Sequence, residues 1–175
     1  MQVVGVETAV PGALRWRTGN VEWLASRDFF VPVLEHRYTS GATSSTIEGN
    51  PGALWPLEPG KTVAFTEQRT ETLTLTGTQL RQTLRWTCTV QDARMSYVPA
   101  GDFETYRVAC EARGDRVPLV LQRIQWDYAP ALGHYVRREW LEGSRQREVV
   151  LSAALPAAVA TPERLARTLG RLARE

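Results

Sequence analysis

The residue types that most often carry out chemistry are few in this chain, and they are scattered. Only two histidines occur, His36 and His134, and each lies in a strand-like stretch with no cysteine, aspartate or second histidine at the spacing of metal ligands. A zinc site needs three or four protein ligands that converge on one point. We therefore predict no metal and no cofactor, and we expect both histidines to pack against neighbours or to form hydrogen bonds.

Paired carboxylates are a second route to chemistry, because the two acids of a glycosidase need not be close in sequence. The candidates are Asp102, Glu104, Asp127 and Glu139, and each also has an ordinary place in a turn or on a strand surface. The sequence contains no G-x-S-x-G elbow, no G-x-G-x-x-G motif and no P-loop. We predict that the protein is not an enzyme; an enzyme with dispersed carboxylates is the less favoured alternative.

The two cysteines, Cys88 and Cys110, both fall on the apolar faces of predicted strands. They are either inert core thiols or a disulfide formed in an oxidising compartment. If residues 80–90, 94–98 and 103–112 form a simple meander, the two cysteine strands are next-nearest neighbours and lie about 9–10 Å apart. A disulfide needs Cα atoms within about 7 Å. On this arrangement a bridge requires a bulge, strong coiling or a middle strand that peels away.

Strands must position nearly all of these residues, because apolar and polar side chains alternate through most of the first 155 residues. The clearest case is residues 80–90, where one face carries Leu84, Trp86 and Cys88 and the other carries arginines and threonines. A strand that is buried on one side favours an antiparallel sheet. We predict an all-β domain over residues 1–160, an antiparallel sandwich or partly closed barrel of about nine or ten strands. Further strands are predicted at 14–24 (a hairpin), 29–38, 61–75, 94–98, 103–112, 120–128, 134–140 and 147–155, with a loop-rich stretch at 41–60.

A C-terminal amphipathic helix is predicted over residues 161–175, packed on the same domain. Thr161 suits the N-cap, Pro162 the first helical position and Glu163 the positive end of the helix dipole. One stripe of this helix is apolar, and we expect it to cover an opening or edge of the sheet. The apolar stripe consists of Leu165, Leu169 and Leu172, and the stripe on nearly the opposite side consists of Arg164, Arg167, Arg171 and Arg174.

Bulk composition narrows the class of partner and the compartment. The net charge of +2 is too small to suggest nucleic-acid binding. No apolar stretch approaches the roughly 20 residues of a membrane-spanning helix. The first residues lack a basic region followed by an apolar one, so no signal peptide is visible. We expect a chain that begins in the cytosol, or the mature form of an exported protein.

Two segments resemble a group of uncharacterised proteobacterial envelope proteins. Residues 97–110, YVPAGDFETYRVAC, match their V-P-A-G-x-F-[DE]-T-[FY] turn, and residues 126–140, WDYAPALGHYVRREW, match their W-[YF]-A-P-x-x-G-x-[YF]-V-R-R segment, with Asp127 as an extra residue. A third stretch, ALWPLEPGKTVAF at residues 53–65, precedes both segments and belongs to the same resemblance. The resemblance implies an exported, β-rich protein of unassigned function. It implies a periplasmic or envelope location if a signal peptide has been removed and a cytoplasmic one otherwise, and it favours a Cys88–Cys110 disulfide.

Our first functional hypothesis is a non-enzymatic, envelope-associated β domain that binds an apolar or amphipathic ligand. Aromatic side chains on strand faces would line its cavity, as in barrels that carry lipid-like ligands. The predicted lining residues are Trp86, Tyr106, Trp126 and Tyr128. The alternative for these aromatics is a filled core. A cavity of about 300 Å³ or more would support the first interpretation, and a solid core would contradict it.

The alternative function is a protein-interaction or assembly module of the cell envelope that uses basic surface patches. These patches would contact an acidic envelope protein or the surface of an anionic membrane, without nucleic acid. The patches are the helix arginines Arg164, Arg167, Arg171 and Arg174 and the pair Arg137–Arg138.

Overall fold

A computed structural model describes residues 4–7, 12–18, 20–115, 119–142, 144–155 and 160–172. Its strands form one sheet in which each strand pairs antiparallel with the next along the chain, and the sheet curves into a half-barrel. The predicted all-β antiparallel domain with a C-terminal helix is confirmed, and of the two architectures the partly closed barrel is the one observed. The elements are β1 (Val4–Glu7), β2 (Ala13–Thr18), β3 (Val21–Ser26), β4 (Glu35–Tyr38), β5 (Gly41–Glu48), a 3₁₀ turn (Pro51–Leu54), β6 (Thr62–Leu73), β7 (Gln79–Val98), β8 (Gly101–Gly114), β9 (Val120–Ala129), β10 (His134–Glu142), β11 (Arg145–Val150) and α1 (Pro162–Leu172).

The longest hairpin, β7–β8, corrects the predicted strand order around the cysteines. Residues 80–90 and 94–98 were predicted as two strands, but they are one strand that continues through a β-bulge between Val90 and Asp92. Because of that, Cys88 lies directly opposite Cys110 on the neighbouring strand. The structure joins them in a disulfide with Cα atoms 4.0 Å apart, and both side chains are buried.

Two other segments also differ from prediction. The run FFVPVL, predicted as the start of a strand, is a bent segment at residues 29–34, and only Glu35–Tyr38 pairs as a strand. Pro32 has no N–H to donate to a sheet, which favours the bend. In contrast, the stretch predicted as loop after residue 40 contains the regular strand Gly41–Glu48, whose small and hydroxyl side chains pair with β6.

The concave face of the half-barrel carries the main core. Alternate residues of β7 and β8 point to this face and are almost fully buried, as the period of two predicts. The bent segment 29–34 and the 3₁₀ turn add Phe30 and Leu54, which are also buried. The fully packed part of the core therefore lies under these two segments. The core cluster consists of Phe30, Leu54, Leu57, Phe65, Leu84, Trp86, Cys88, Val90, Val108, Cys110, Ala112 and Trp126.

The C-terminal helix begins as predicted. Thr161 caps it: its side-chain oxygen accepts a hydrogen bond of 3.3 Å from the backbone N–H of Arg164. Leu165 is 45% exposed, and the side chains of Leu169 and Leu172 lie outside the described residues. The packing of this apolar stripe on the sheet stays a prediction. In the described part of the chain, no helix has the length and apolar character needed to cross a membrane.

Candidate functional site

Beside the packed core, the concave face encloses an open cavity of about 950 Å³. Strands β2–β7, β9 and β10 and the segment at residues 27–33 contribute to its lining. Its volume lies at the upper end of the roughly 300–1,000 Å³ typical of small-molecule sites. The cavity therefore has room for a ligand with several ring or chain units.

Aromatic rings form one wall of this cavity. Phe29 stacks on Tyr128 with ring centroids 4.8 Å apart, and it meets the edges of Trp126 and Trp55 at 5.7 and 6.1 Å. The bent segment that carries Phe29 is held in place because Asp28 accepts a 2.8 Å hydrogen bond from the indole nitrogen of Trp55. Edge and stacked contacts of this kind stabilise aromatic clusters beyond simple burial. The wall is thus a fixed apolar surface.

A second aromatic pair lies on β2 and β3. Trp16 and Trp23 are cross-strand partners, and their rings stack with centroids 6.5 Å apart. Both rings are only partly buried, and both line the cavity. The hairpin predicted over residues 14–24 is confirmed. These half-exposed rings leave apolar surface that a ligand would cover.

A buried carboxylate fixes the floor of the cavity. Glu67 has no exposed surface, and its oxygens accept hydrogen bonds from Ser45 at 2.6 Å and from the indole nitrogen of Trp86 at 2.8 Å. Arg69 donates two more bonds to it, at 2.9 and 3.2 Å, and neutralises its charge. Every lining group in this cluster is therefore engaged within the protein.

The guanidinium of Arg138, unlike that of Arg69, lies against aromatic rings rather than against a carboxylate. Its guanidinium carbon lies 4.9 Å from the ring centre of Trp140 and 5.9 Å from that of Trp126. Among the described residues, no carboxylate lies within ion-pair distance of Arg138. Two buried nitrogens in this corner, Nε of Arg138 and Nε1 of Trp126, have no hydrogen-bond acceptor. Since buried polar groups normally have partners, this corner lacks an acceptor.

The predicted lining residues are largely brought together. Trp86, Trp126 and Tyr128 line the cavity, and burial raises the pKa of Tyr128 above its ordinary value. Tyr106 packs against the core cluster and is not among the described lining residues. Its neighbours on the same face, Val108 and Cys110, belong to that cluster. The concave side of β8 is therefore covered by core.

Sequence reasoning missed Phe29, Trp55 and Arg138 as lining residues. Arg138 was placed in a basic surface patch, but it faces the cavity opposite Trp126 on the neighbouring strand. The available signal was its spacing of two residues from Trp140, which puts both on one face of a strand. A β-bulge between Tyr135 and Arg137 lies just before this pair, so the face of Arg138 does not follow from that of Tyr135.

The outer face carries a charged row that crosses four strands. Asp127 is 2% exposed and accepts bonds from Arg107 at 2.7 and 3.0 Å and from Ser96 at 2.9 Å, with Arg137 at 3.7 Å. The hydrogen bond to Asp127 raises the pKa of Arg107. Asp92 faces Arg107 from the next strand. Alternating charges in register stabilise neighbouring strands, so this row has a structural role.

Asp127 lies on the outer face of its strand, but two arginines and a serine enclose it, so it is buried rather than exposed to solvent. Asp127 occupies a regular strand position between Trp126 and Tyr128, whose side chains both face the cavity. Of the other carboxylates considered, Asp102 and Glu104 are exposed on β8. Within the described ranges, no group of three or more His, Cys, Asp or Glu side chains could hold a metal ion.

The helix arginines Arg164, Arg167 and Arg171 are exposed beside Leu155 and Thr168, where they border a shallow depression. Arg174 lies outside the described residues. The interaction-module hypothesis stays a prediction.

Comparison with known proteins gives a structural match only. No protein-family model and no curated protein matches the chain. Among solved structures, it is similar to the hypothetical lipoprotein YmcC from Escherichia coli (K12), with 10% sequence identity and a TM-score of 0.60 over 88% of this chain and 77% of that one. At this identity the likeness shows a shared fold.

Proposed function

We propose that this protein is a non-enzymatic, envelope-associated domain that binds an amphipathic ligand in the cavity of its half-barrel. The observation that carries the proposal is the open cavity of about 950 Å³ with aromatic walls. Concave pockets of this size with large apolar walls are few in any one protein, and they commonly bind small molecules. A space of this size beside a packed core is better explained as a site for a guest molecule than as a packing defect.

The lining fits an amphipathic guest. The rings of Phe29, Trp126 and Tyr128 offer apolar surface, and the half-exposed pair Trp16 and Trp23 offers more. Polar side chains, among them Ser45, His36 and Arg138, line other parts of the cavity and could orient the polar end of such a ligand. A purely polar ligand would leave most of this aromatic surface uncompensated.

Two observations support the envelope as the location. The similar solved structure is that of a hypothetical lipoprotein, and the structure joins Cys88 and Cys110 in a disulfide. Disulfides persist mainly in oxidising compartments such as the bacterial periplasm. Fractionation of the native host under non-reducing conditions tests this part of the proposal; recovery in the cytosolic fraction with free thiols would contradict it.

Filling the cavity tests the binding function. Thr43 lines the cavity on β5, whereas Thr46 on the same strand points to the outer face and is exposed. Thr43→Trp should therefore obstruct the ligand and Thr46→Trp should not. The assay is the fluorescence of N-phenylnaphthylamine, a neutral amphiphilic probe that brightens in apolar surroundings.

We expect wild type and Thr46→Trp to bind the probe alike and Thr43→Trp to bind at least about tenfold more weakly, a difference of roughly 1.4 kcal/mol. Circular dichroism establishes that both variants are folded. Equal binding by the two variants, or no binding by the wild type, would contradict the proposal.

A further inference from the structure

We propose that the ligand carries an anionic head group and that Arg138 binds it. This inference rests on the proposed binding function and specifies the chemistry of the guest. Three arginines and one aspartate are the charged groups among the described lining residues. The cavity therefore presents a net positive lining, which favours anions over cations.

Arg138 is the lining cation that is held against aromatic rings inside the cavity. Arg69 is engaged by the buried carboxylate of Glu67. The one lining acid, Asp28, accepts a bond from Trp55. Arg138 instead lies between two indole rings with no carboxylate at ion-pair distance in the described part of the chain. A cation held against aromatic faces has lost part of its hydration, so a nearby anion gains more from it than in open water.

Hydrogen bonding favours the same guest. Nε of Arg138 and Nε1 of Trp126 are both donors, both are buried, and neither has an acceptor. They belong to directly opposed residues on β9 and β10, so they mark one corner of the cavity. An anionic oxygen that reaches this corner as the Arg138 side chain shifts would supply the missing acceptor. The planar guanidinium suits carboxylate and phosphate oxygens in particular.

The head group and the apolar part of the guest then have separate places. The charged end lies at Arg138, between Trp126 and Trp140, and the apolar part lies along the ring wall that contains Phe29 and Tyr128. This arrangement predicts an anionic amphiphile as the ligand class. Carboxylate and phosphate share this chemistry, so the test includes both.

The experiment compares four probes with one chain length: dodecanoate, dodecyl phosphate, dodecanol and dodecyltrimethylammonium, each below its micelle-forming concentration. Binding is measured by displacement of N-phenylnaphthylamine from four proteins: the wild type, Arg138→Met, Arg138→Lys and Arg85→Met. Arg85 lies on the opposite face of β7 from Trp86 and is exposed, so its replacement removes the same charge away from the cavity. Arg138→Lys keeps the charge but not the planar fork.

We expect the wild type and Arg85→Met to bind at least one anionic probe at least about tenfold more tightly than dodecanol. One charge-assisted hydrogen bond to Arg138 accounts for a difference of this size. Arg138→Met should reduce that affinity to the level that the same variant shows for dodecanol, and Arg138→Lys should fall between. The tighter of dodecanoate and dodecyl phosphate identifies the head group.

Two outcomes separate this inference from the binding function. If dodecanol or the cationic probe binds the wild type as tightly as both anions, the anionic head group is refuted and the binding function stands. If none of the four probes and no N-phenylnaphthylamine binds, the binding function fails and the inference with it. An Arg138→Met variant that retains the preference for anions would also overturn the role of Arg138.

Discussion

The disulfide between β7 and β8 gives the sharpest prediction about stability. Cys88 and Cys110 are directly opposed on neighbouring strands and are separated by 22 positions in sequence. Reducing the bond deletes no side-chain heavy atom; it removes the cross-link and lets the two sulfurs move apart. The main effect of reduction is therefore the loss of the constraint that the bond imposes on the unfolded chain.

The size of the effect follows from the length of the closed loop. For a loop of 22 positions, the chain-entropy relation gives a loss of about 3 kcal/mol on reduction at 25 °C. For a chain of 175 residues, each kcal/mol shifts the melting temperature by roughly 2–4 °C, so reduction should lower it by about 6–12 °C.

Differential scanning calorimetry of four samples measures this effect: the wild type and Cys88→Ala/Cys110→Ala, each with and without reductant. Because both sulfurs are buried, the reduced wild type is prepared by unfolding and refolding in reductant. Reductant should lower the melting temperature of the wild type and leave that of the double variant unchanged. A wild type whose melting temperature falls by less than about 2 °C would refute the reasoning.

Three further changes probe other parts of the fold by urea denaturation. Arg69→Met leaves the buried Glu67 carboxylate without its cation, so the free energy of unfolding should fall by about 3 kcal/mol. Asp92→Asn removes a carboxyl whose pKa is lowered, chiefly by its hydrogen bond from Arg94. The carboxylate stabilises the fold above its ordinary pKa of 3.8 and loses that effect as the pH falls through the lower folded value. Because the pair is exposed, the variant should lose only about 0.5 kcal/mol at neutral pH, and this loss should disappear as the pH falls through the folded pKa. Gly101→Ala places a side chain at φ 132° and should lower the free energy of unfolding by about 1–3 kcal/mol.

Each of these has a control. The double change Arg69→Met/Glu67→Gln removes the unpaired charge and should be more stable than Arg69→Met; equal stability would contradict the charge argument. A stability difference for Asp92→Asn that is constant with pH would show that packing, not ionisation, is responsible. Gly170→Ala, in a helix with open space around the glycine, should not destabilise. If Gly101→Ala has the same free energy of unfolding as Gly170→Ala, the turn at residue 101 does not require glycine.

The fold was predictable because one physical rule, the alternation of faces, governs most of the chain. It identified the hairpin of Trp16 and Trp23 and the half-buried strand at residues 80–90. It failed where a bulge breaks the alternation, because a single unpaired residue after Val90 made one long strand look like two. The error in the expected distance between the cysteines came from that bulge alone.

The cavity was predictable only in part, for a related reason. Trp86, Trp126 and Tyr128 stood out as large apolar residues on strand faces. Glu67 did not stand out as a buried residue, because a charged residue in a strand normally points to water. Only the tertiary structure shows that Arg69 neutralises its charge. Whether aromatic side chains fill a core or enclose a space depends on the curvature of the sheet, which no local pattern encodes.

An unclosed half-barrel also places a demand on its last strand. In the described chain, β11 is the outermost strand on its side of the sheet, next to β10 alone. Outermost strands expose backbone groups on which another chain can add a strand, and charged side chains discourage this. The segment RQREVV begins with charged and polar residues that are exposed, before the apolar Val149 and Val150. A half-barrel that does not close thus imposes a second requirement on the sequence, a charged border that resists pairing with strands of another chain.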